Sequence, residues 1–259
     1  MLRSRVIPCL LIHKKGLVKT VKFRNPKYVG DPINAVKIFN EKEVDELMVL
    51  DIDASKDEKE PDYDMIRYIA NECRMPLCFG GGVKTLAQAK AIIELGVEKV
   101  AISSGAIENP SVLKEISATI GQQSVVVVLD VKKNLFGSYE IYTHNYTKKV
   151  KKGFDQILNE LEQIGIGELV INSIDRDGSL SGYDETLAEH VRNLVTCPLT
   201  ILGGAGSQDD ILQIIKKFKI IGAAAGSLFV FKGPYKAVLI SYLDKSIREK
   251  IYDICHRRN

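Results

Sequence analysis

The chain has 259 residues, of which 45% are hydrophobic and 27% are charged. This length and apolar content are enough to bury a large core as one α/β unit, although length alone does not exclude two smaller domains. The 36 basic and 33 acidic residues leave a net charge of +3, which excludes the strongly basic field of a nucleic-acid-binding protein and still allows a small anionic substrate.

The five cysteines are scattered and form no CxxC pair. This argues against a disulfide framework and a zinc site, and it favours a reducing cytoplasm. The start of the chain, MLRSR followed by VIPCLLI, has the charged and apolar parts of a signal peptide, but its apolar run is short and continues into HKK. No stretch reaches the roughly 18 apolar residues of a membrane helix. We therefore expect a soluble cytoplasmic protein with no membrane partner.

Eight apolar runs recur along the chain. They are continuous rather than alternating, which is typical of strands buried on both faces of a parallel sheet. In chain order the runs are RVIPCLLI (5–12), ELMVLDI (46–52), PLCFG (76–80), KVAISS (99–104), SVVVVLD (124–130), ELVINSI (168–174), PLTILGG (198–204) and IIGAAAG (220–226).

Helical patterns separate these runs. DPINAVKIFNEK has a proline in its first turn, TLAQAKAIIELG ends in glycine, NPSVLKEISATIG starts at an asparagine cap, and SQDDILQIIKKF lies between the last two runs. Repeated βα units in a chain of this length predict an α/β fold of the (β/α)8 TIM-barrel type, with the active site at the carboxyl ends of the strands. A doubly wound sheet is the main alternative.

A longer repeat divides the chain into two halves with an offset of about 122 residues. The repeat consists of DELMVLDID (45–53) with GELVINSID (167–175), PLCFGGG (76–82) with PLTILGGAG (198–206), and VAISSGAIEN (100–109) with IGAAAGSLF (221–229). We therefore predict one barrel domain over residues 1–259, built from two fused half-barrels at about 1–120 and 121–259, with paired sites in the two halves.

Each half has a glycine cluster after its third strand and a small, hydroxyl-bearing segment after its fourth. Glycine exposes backbone N–H groups, helix starts favour anions, and barrels often hold phosphate near the last two strands. We expect a ligand with a phosphate at each end to bridge the halves, although tight turns alone explain either cluster singly. The candidate substrate-binding residues are Gly81, Gly82, Ser103, Ser104, Gly204, Gly226 and Ser227. Neither cluster has the spacing of a nucleotide-binding motif.

The candidate acids and bases at the carboxyl ends of strands 2, 5 and 6 are Asp51, Asp53, Asp130, Asp175 and Asp177. Asp130 follows an apolar strand, where burial can tune its pKa for acid/base work, although a structural turn-capping role explains it equally well. Lys19, in the basic loop after the first strand, is a candidate for holding an anionic substrate, although a solvated loop lysine is more common. The four histidines form no metal-ligand spacing, so we predict no metal and no cofactor.

The chain resembles the HisF family, the cyclase subunit of imidazole glycerol phosphate synthase, over essentially its whole length. The motifs that carry the resemblance occur in family order: GDP, ELMVLDI, FGGGV, SSGAIENP, VVVLDVK, SIDRDGSLSGYD and GGAG. The resemblance implies a half-barrel duplication, a bisphosphate ligand in the two glycine sites, and substrate contacts by Lys19, Asp177 and Gly178. It also implies a separate HisH-like glutaminase subunit, which docks on the amino-terminal face and sends ammonia through the barrel.

The same resemblance places a ring of four charged residues at the ammonia entrance. The matching positions are Arg5, Glu46, Lys99 and Glu168, each at the start of a strand. Two positive and two negative charges cancel, so a closed ring of salt bridges can occupy a partly buried mouth. Surface charges of an ordinary barrel would explain each residue singly, but four matching types favour the gate.

The first strand departs from the family pattern. In the family two aspartates, ending strands 5 and 1, perform the acid/base steps of ring closure; Asp130 matches the first, and Leu11 holds the second position. Because such catalysis contributes roughly 10² to 10⁴ in rate, we expect its loss nearly to silence the cyclase step. The loops HKKGLVKTVKF and THNYTKKVKKGF (143–154) also deviate, on the reaction face, whereas the four gate residues do not.

Three functions remain open. The first is a paralogue that uses glutamine-derived ammonia outside histidine synthesis, because the sequence resembles HisF-like proteins of surface-polysaccharide gene clusters that supply ammonia for amidino groups on sugars. The second is a genuine imidazole glycerol phosphate synthase subunit in which Asp51 or Asp53 replaces the missing carboxylate. The third is a non-catalytic adaptor that activates a glutaminase and passes ammonia to another protein.

Overall fold

A computed structural model of the chain describes residues 3–256. Eight parallel strands form a closed barrel in which each strand pairs with its neighbours in the chain and the eighth pairs with the first. The strands are β1 (Arg5–His13), β2 (Leu47–Asp51), β3 (Leu77–Gly80), β4 (Lys99–Ile102), β5 (Val125–Lys133), β6 (Glu168–Ser173), β7 (Leu199–Leu202) and β8 (Gly222–Ala225). The predicted TIM barrel is confirmed, and all eight apolar runs are its strands.

Helices connect successive strands and surround the barrel. Most begin at an Asp, Asn, Ser or Thr whose side chain accepts a hydrogen bond from the first helical turn, which stabilises the helix start. They are α1 (Pro32–Glu41), α2 (Tyr63–Glu72), α3 (Leu86–Glu94), α4 (Ser104–Glu108), α5 (Pro110–Ile120), α6 (Phe154–Ile164), α7 (Glu185–Arg192), α8 (Gln208–Phe218), α9 (Ser227–Val230) and α10 (Lys245–His256). A 3₁₀ turn spans Gln122–Ser124. No helix within residues 3–256 is long and apolar enough to cross a bilayer.

The loops after β1, β5 and β8 contain short antiparallel strands. Gly16–Val21 pairs with the end of β1 and with Arg24–Gly30, which makes a hairpin of the basic loop. Tyr139–Thr143 pairs with β5 and with Lys148–Lys149, and Phe231–Lys232 pairs with Ala237–Val238. All three elements follow the carboxyl ends of barrel strands, so they lie at the carboxyl-terminal face of the barrel.

The core has two parts. The larger part packs the helices against the outside of the barrel, and a smaller cluster fills the inside. Because side chains alternate along a strand, every second residue faces the barrel axis. The inner cluster is formed by Ile7, Cys9, Met48, Cys78, Ala101, Val126, Val128, Val170, Leu202 and Ala224. The barrel interior is therefore apolar at mid-height.

Candidate functional site

A pocket opens where the carboxyl ends of the strands meet. It contains about 1140 Å³ of space, solvent at its mouth included. The structure brings all eleven predicted pocket residues together in its lining: Lys19, Gly81, Gly82, Ser103, Ser104, Asp130, Asp177, Gly178, Gly204, Gly226 and Ser227. Within the described residues, no cluster of His, Cys, Asp and Glu side chains is arranged to hold a metal ion.

The two glycine clusters lie at related places around this pocket. Gly81 and Gly204 have φ angles of +131° and +108°, which side-chain-bearing residues rarely adopt. A Cβ at Gly204 would lie 2.1 Å from the carbonyl oxygen of Gly182, so only glycine fits there. The segments after β4 and β8 begin the short helices α4 and α9 at Ser104 and Ser227. A glycine loop and the start of a short helix thus line the same cavity in each of the two predicted halves.

Asp130 lines the pocket, two residues beyond Val128 of the apolar interior. One oxygen of its carboxyl group accepts a hydrogen bond from Nδ2 of Asn172 at 3.0 Å. Burial raises the pKa of Asp130 to about 7, and the hydrogen bond from Asn172 offsets only part of this effect. Near neutral pH the group is present in both protonation states, which is the condition for general acid/base work.

Leu11 also lines the pocket, where it is partly buried and has Leu50 of β2 as its neighbour in register. This side chain has no group that transfers a proton. Asp51 lines the pocket too, but its Oδ1 accepts hydrogen bonds from the backbone N–H groups of Asp53 and Ala54. Burial raises the pKa of Asp51. Asp51 is one of the two carboxylates considered as a replacement for the missing strand-1 aspartate. One of its oxygens is already occupied by the hydrogen bonds of this turn.

Asp53 holds the start of the β1 loop. Its carboxylate contacts Nδ1 of His13 at 2.7 Å and accepts a hydrogen bond from the backbone N–H of Lys14 at 2.8 Å. Asp175 accepts a hydrogen bond from the backbone N–H of Lys133 at 3.0 Å. Both aspartates thus have a loop-anchoring role in this structure.

Lys19 is buried inside the mouth of the barrel, so the interpretation of this residue as a solvated loop lysine is wrong. Its Nζ donates to the carbonyl oxygen of Cys9 at 2.5 Å and lies against Gly226, where a Cβ would be 2.6 Å away. Burial lowers the pKa of Lys19, although the nearby charge of Asp177 acts in the opposite direction. An amine held beside Gly226 is well placed to contact an anionic group bound between the glycine cluster after β7 and the start of α9.

Asp177 and Gly178 join the β1 hairpin to the β6 loop. Oδ2 of Asp177 accepts hydrogen bonds from Oγ1 of Thr20 at 2.7 Å and from the backbone N–H of Phe23 at 3.1 Å. Burial raises the pKa of Asp177. Gly178 packs on the backbone of Thr20 so closely that a Cβ would lie 2.2 Å from its carbonyl oxygen. These contacts fix the hairpin beside the pocket.

The pocket is also lined by residues that were not predicted from the sequence, including Asn172, His144 and Asn145. Asn172 follows Glu168 and Val170 at every second position of β6, so strand alternation alone would have placed it on the axis. His144 and Asn145 have φ angles of +53° and +52°, and the backbone N–H of His144 donates to Oγ of Ser104 at 3.1 Å. No local sequence pattern predicts this hydrogen bond, because its two residues are 40 positions apart in the chain.

The four predicted gate residues form a closed ring at the opposite end of the barrel. Arg5 pairs with Glu46 and, at 2.8 Å, with Glu168, while Lys99 pairs with Glu46 at 2.8 Å and with Glu168 at 2.9 Å. Both glutamate side chains are only 3% exposed. Burial would raise the pKa of Glu168, but the charges of Arg5 and Lys99 outweigh it and hold the pKa below its usual value. Thr200, not predicted from the sequence, also donates to Glu168.

Comparison with known proteins agrees with this geometry. Residues 5–235 match the family described as histidine biosynthesis protein. The chain is 55% identical over 255 residues, 98% of each chain, to a Vibrio vulnificus protein named "Putative imidazole glycerol phosphate synthase subunit hisF3". It is 51% identical to a Leptospira borgpetersenii protein named "Putative imidazole glycerol phosphate synthase subunit HisF", over 97% of this chain and 100% of that one.

A further relative lies at greater distance. The chain is 36% identical over 229 residues to the "Imidazole glycerol phosphate synthase subunit HisF" of Streptococcus sanguinis, which covers 88% of this chain and 91% of that one. The family match, at residues 5–235, spans both glycine clusters and the four ring positions. The chain therefore belongs to the histidine biosynthesis protein family and, within it, to the HisF group.

Proposed function

We propose that the chain is the barrel subunit of a glutamine-dependent synthase. A HisH-like glutaminase docks at the amino-terminal face, ammonia enters through the ring of Arg5, Glu46, Lys99 and Glu168, and it reaches a phosphorylated small molecule in the pocket. The family membership and the names of the relatives support the glutaminase partnership. A charge-balanced ring and a pocket lined by two glycine clusters lie at opposite ends of one apolar interior, and this arrangement supports the direction of transfer.

The chain is specialised away from imidazole glycerol phosphate synthesis in this proposal. The observation that carries it is the reaction pocket itself, where Asp130 is buried and able to titrate near neutral pH while Leu11 presents only methyl groups. Because the cyclase step of the family uses two carboxylates, one carboxylate is insufficient for it. The resemblance to HisF-like proteins of surface-polysaccharide gene clusters supports a role in supplying ammonia for amidino sugars of lipopolysaccharide, in the cytoplasm.

The proposal is tested in a strain that lacks the cyclase subunit, grown without histidine on excess ammonium salt so that no glutaminase is needed. We expect no growth with the unchanged chain and restored growth with Leu11→Asp, because the second carboxylate returns about 10² to 10⁴ in rate. Leu11→Asn is the matched control, since it has a similar size and no acid. Robust growth with the unchanged chain would refute the specialisation.

A genuine imidazole glycerol phosphate synthase subunit is the first alternative. It is favoured by Asp51, a second carboxyl group at the end of β2, which lines the pocket and whose pKa is raised by burial. In this case Asp51→Asn abolishes growth on the ammonium medium while Leu11→Asp changes little. The same strain thus separates the two functions.

A non-catalytic adaptor is the second alternative, and the apolar Leu11 favours it. An adaptor needs the ring and the interior but not Asp130. With a glutaminase partner and the acceptor-modifying enzyme present, Asp130→Asn then leaves product formation unchanged. Loss of product with intact glutamine hydrolysis would exclude the adaptor.

A further inference from the structure

The turn that follows β5 displays two apolar side chains in solvent. Leu135 and Phe136 are 102% and 95% exposed, the highest values among the large hydrophobic residues that the structure describes. The turn itself is formed by other residues: Oδ1 of Asn134 accepts hydrogen bonds from the backbone N–H groups of Phe136 and Ser138, and Gly137 has a φ of +86°. Turn positions favour polar residues and glycine. The two apolar side chains therefore do not stabilise the fold, and such exposed groups mark a binding surface.

Lysines surround this turn. Residues 132–152, here called the β5 extension, contain six lysines and one glutamate. The net charge of this segment is +5, compared with +3 for the whole chain, so the remaining residues together carry a net charge of −2. Three of the six lysines pair with glutamates, whereas Lys132, Lys133 and Lys151 form no salt bridge to a carboxylate within residues 3–256. The excess positive charge of the protein is thus concentrated beside the apolar turn.

The loop after β8 has the same pattern. Tyr235 is 93% exposed, it lies between Lys232 and Lys236 in the chain, and residues 231–240 contain no acidic residue. Both loops follow the carboxyl ends of barrel strands, so the two apolar tips lie at the face where the pocket opens. The acidic stretch 57–62 after β2 also lies at this face, so the positive field belongs to particular loops and not to the whole face.

We propose that the loops after β5 and β8 dock the chain on an anionic lipid bilayer. Charge complementarity selects this occupant, because lysines are attracted to anionic headgroups while apolar side chains enter the interface below them. A protein partner fits less well: a stable protein interface covers about 800 Å² on each side, whereas the residues next to Leu135 and Phe136 in the turn are polar or glycine. A bilayer surrounds a protruding side chain without needing a matching pocket.

The inference goes beyond the proposed function. The expectation of no membrane partner rested on the absence of a spanning segment, and binding at a lipid surface needs no such segment. Because the pocket opens at the same face, its mouth would lie beside the lipid headgroups, where it is accessible to a phosphorylated acceptor anchored in the membrane. The experiments below use neither a glutaminase nor an acceptor, so their outcome and that of the proposed function are separate.

Sedimentation of the full chain with lipid vesicles tests the docking. We expect the chain to sediment with vesicles of phosphatidylglycerol and phosphatidylcholine, to stay in the supernatant with phosphatidylcholine alone, and to be released as salt screens the lysines. Leu135→Ser combined with Phe136→Ser should weaken binding about tenfold, because their apolar surface is no longer removed from water. Tyr68→Ser, which removes a 65% exposed ring from α2, is the matched control and should bind unchanged.

A second pair of variants tests the charge. Lys133→Glu combined with Lys151→Glu should weaken binding to the anionic vesicles at least about tenfold, since each lysine near the lipid surface contributes to the attraction. Lys90→Glu combined with Lys114→Glu, at exposed positions of α3 and α5, changes the net charge by the same amount and should have a much smaller effect. Equal weakening by both pairs would show that net charge, and not the β5 extension, governs binding, and would overturn the proposal.

A fluorescent reporter distinguishes insertion from adsorption. The chain contains no tryptophan, so Phe136→Trp places a single one at the tip of the β5 extension. We expect its emission to shift to shorter wavelength on addition of anionic vesicles and to be quenched by brominated lipid, whereas Tyr68→Trp on α2 should show neither change. Absence of vesicle binding would overturn the proposal and favour a protein partner with an apolar cavity and an acidic rim. Binding without a response of the Phe136→Trp variant would overturn it too, because the tip would then stay in water.

Discussion

At the scale of single residues, Asp130 links the pocket to the stability of the barrel. An unfolded aspartate titrates near pH 3.9, whereas burial raises the pKa of Asp130 in the folded chain to about 7. Between these pH values the folded state binds more protons than the unfolded state, so the free energy of unfolding decreases as pH rises through this window. Above pH 7 the ionised carboxylate continues to destabilise the fold.

Asp130→Asn is therefore expected to stabilise the chain in alkaline but not in acidic solution. The difference between the two pKa values corresponds to at most about 4 kcal/mol, and water in the pocket reduces it, so we expect a gain of about 2 kcal/mol at pH 8 and little change near pH 4. Urea unfolding at both pH values measures this. Glu115→Gln, on the exposed side of α5, is the control and should show no such contrast. An equal effect of Asp130→Asn at both pH values would contradict the buried, proton-binding carboxyl group.

At the scale of elements, the β1 hairpin depends on the β6 loop for its position. Thr20, Lys22 and Phe23 each make a hydrogen bond to Asp177, and Gly178 packs on the hairpin backbone. The hairpin supplies Lys19 to the pocket, so this junction also positions a buried amine. The junction crosses from one predicted half of the barrel to the other.

Gly178→Ala is expected to release the hairpin. The new Cβ would lie 2.2 Å from the carbonyl oxygen of Thr20, at a φ of +62° that alanine adopts at a cost of about 1 kcal/mol. Trypsin cleavage after Lys22 and Arg24, followed by mass spectrometry, should accelerate about tenfold as local opening becomes easier. Gly233→Ala separates strain from the clash, because Gly233 has a φ of +74° and no atom within 4 Å of its Cβ position. If trypsin cleavage accelerated equally in both variants, the contact between Gly178 and Thr20 would not be what holds the hairpin in place.

The β1 hairpin also separates the parts of the fold that could be predicted from the sequence from those that could not. The eight barrel strands were predictable because strands buried on both faces are continuous apolar runs, and helix starts such as Asp31-Pro32 carry their own capping group. The hairpin was not, because its strand Arg24–Gly30 is mostly exposed and polar and is held by pairing with a neighbour. The burial of Lys19 depends on the carbonyl of Cys9, a tertiary contact without a local signature.

The pocket shows the same limit. Glycine clusters and strand-end aspartates were visible in the sequence, since their conformation or position is encoded locally. The contact between Asn172 and Asp130 was not, because it requires the register of β5 against β6. Chain order predicts that two strands are neighbours, whereas register decides which side chains meet.

At the scale of the whole molecule, polar groups are confined to the two ends of an apolar interior. The ring at the amino-terminal end carries two positive and two negative charges, and each charge has two partners of opposite sign. Removing one member leaves its partners buried with too few counter-charges, which costs more than an exposed ion pair contributes. In the proposed function this end also separates ammonia from solvent, so stability and coupling depend on the same contacts.

Lys99→Met is expected to affect both properties. Glu46 and Glu168 would then share Arg5 alone, and because the Lys99 side chain is 19% exposed, we expect a loss of about 2 kcal/mol in the free energy of unfolding. With a glutaminase partner, glutamate formation should continue while product formed per glutamine hydrolysed decreases, and product formation driven by added ammonium salt should be unchanged. Lys114→Met, which removes an exposed lysine of α5, should alter neither the stability nor the ratio. If Lys99→Met keeps full coupling despite the lost ion pairs, the ring is a structural cluster and ammonia does not enter through it.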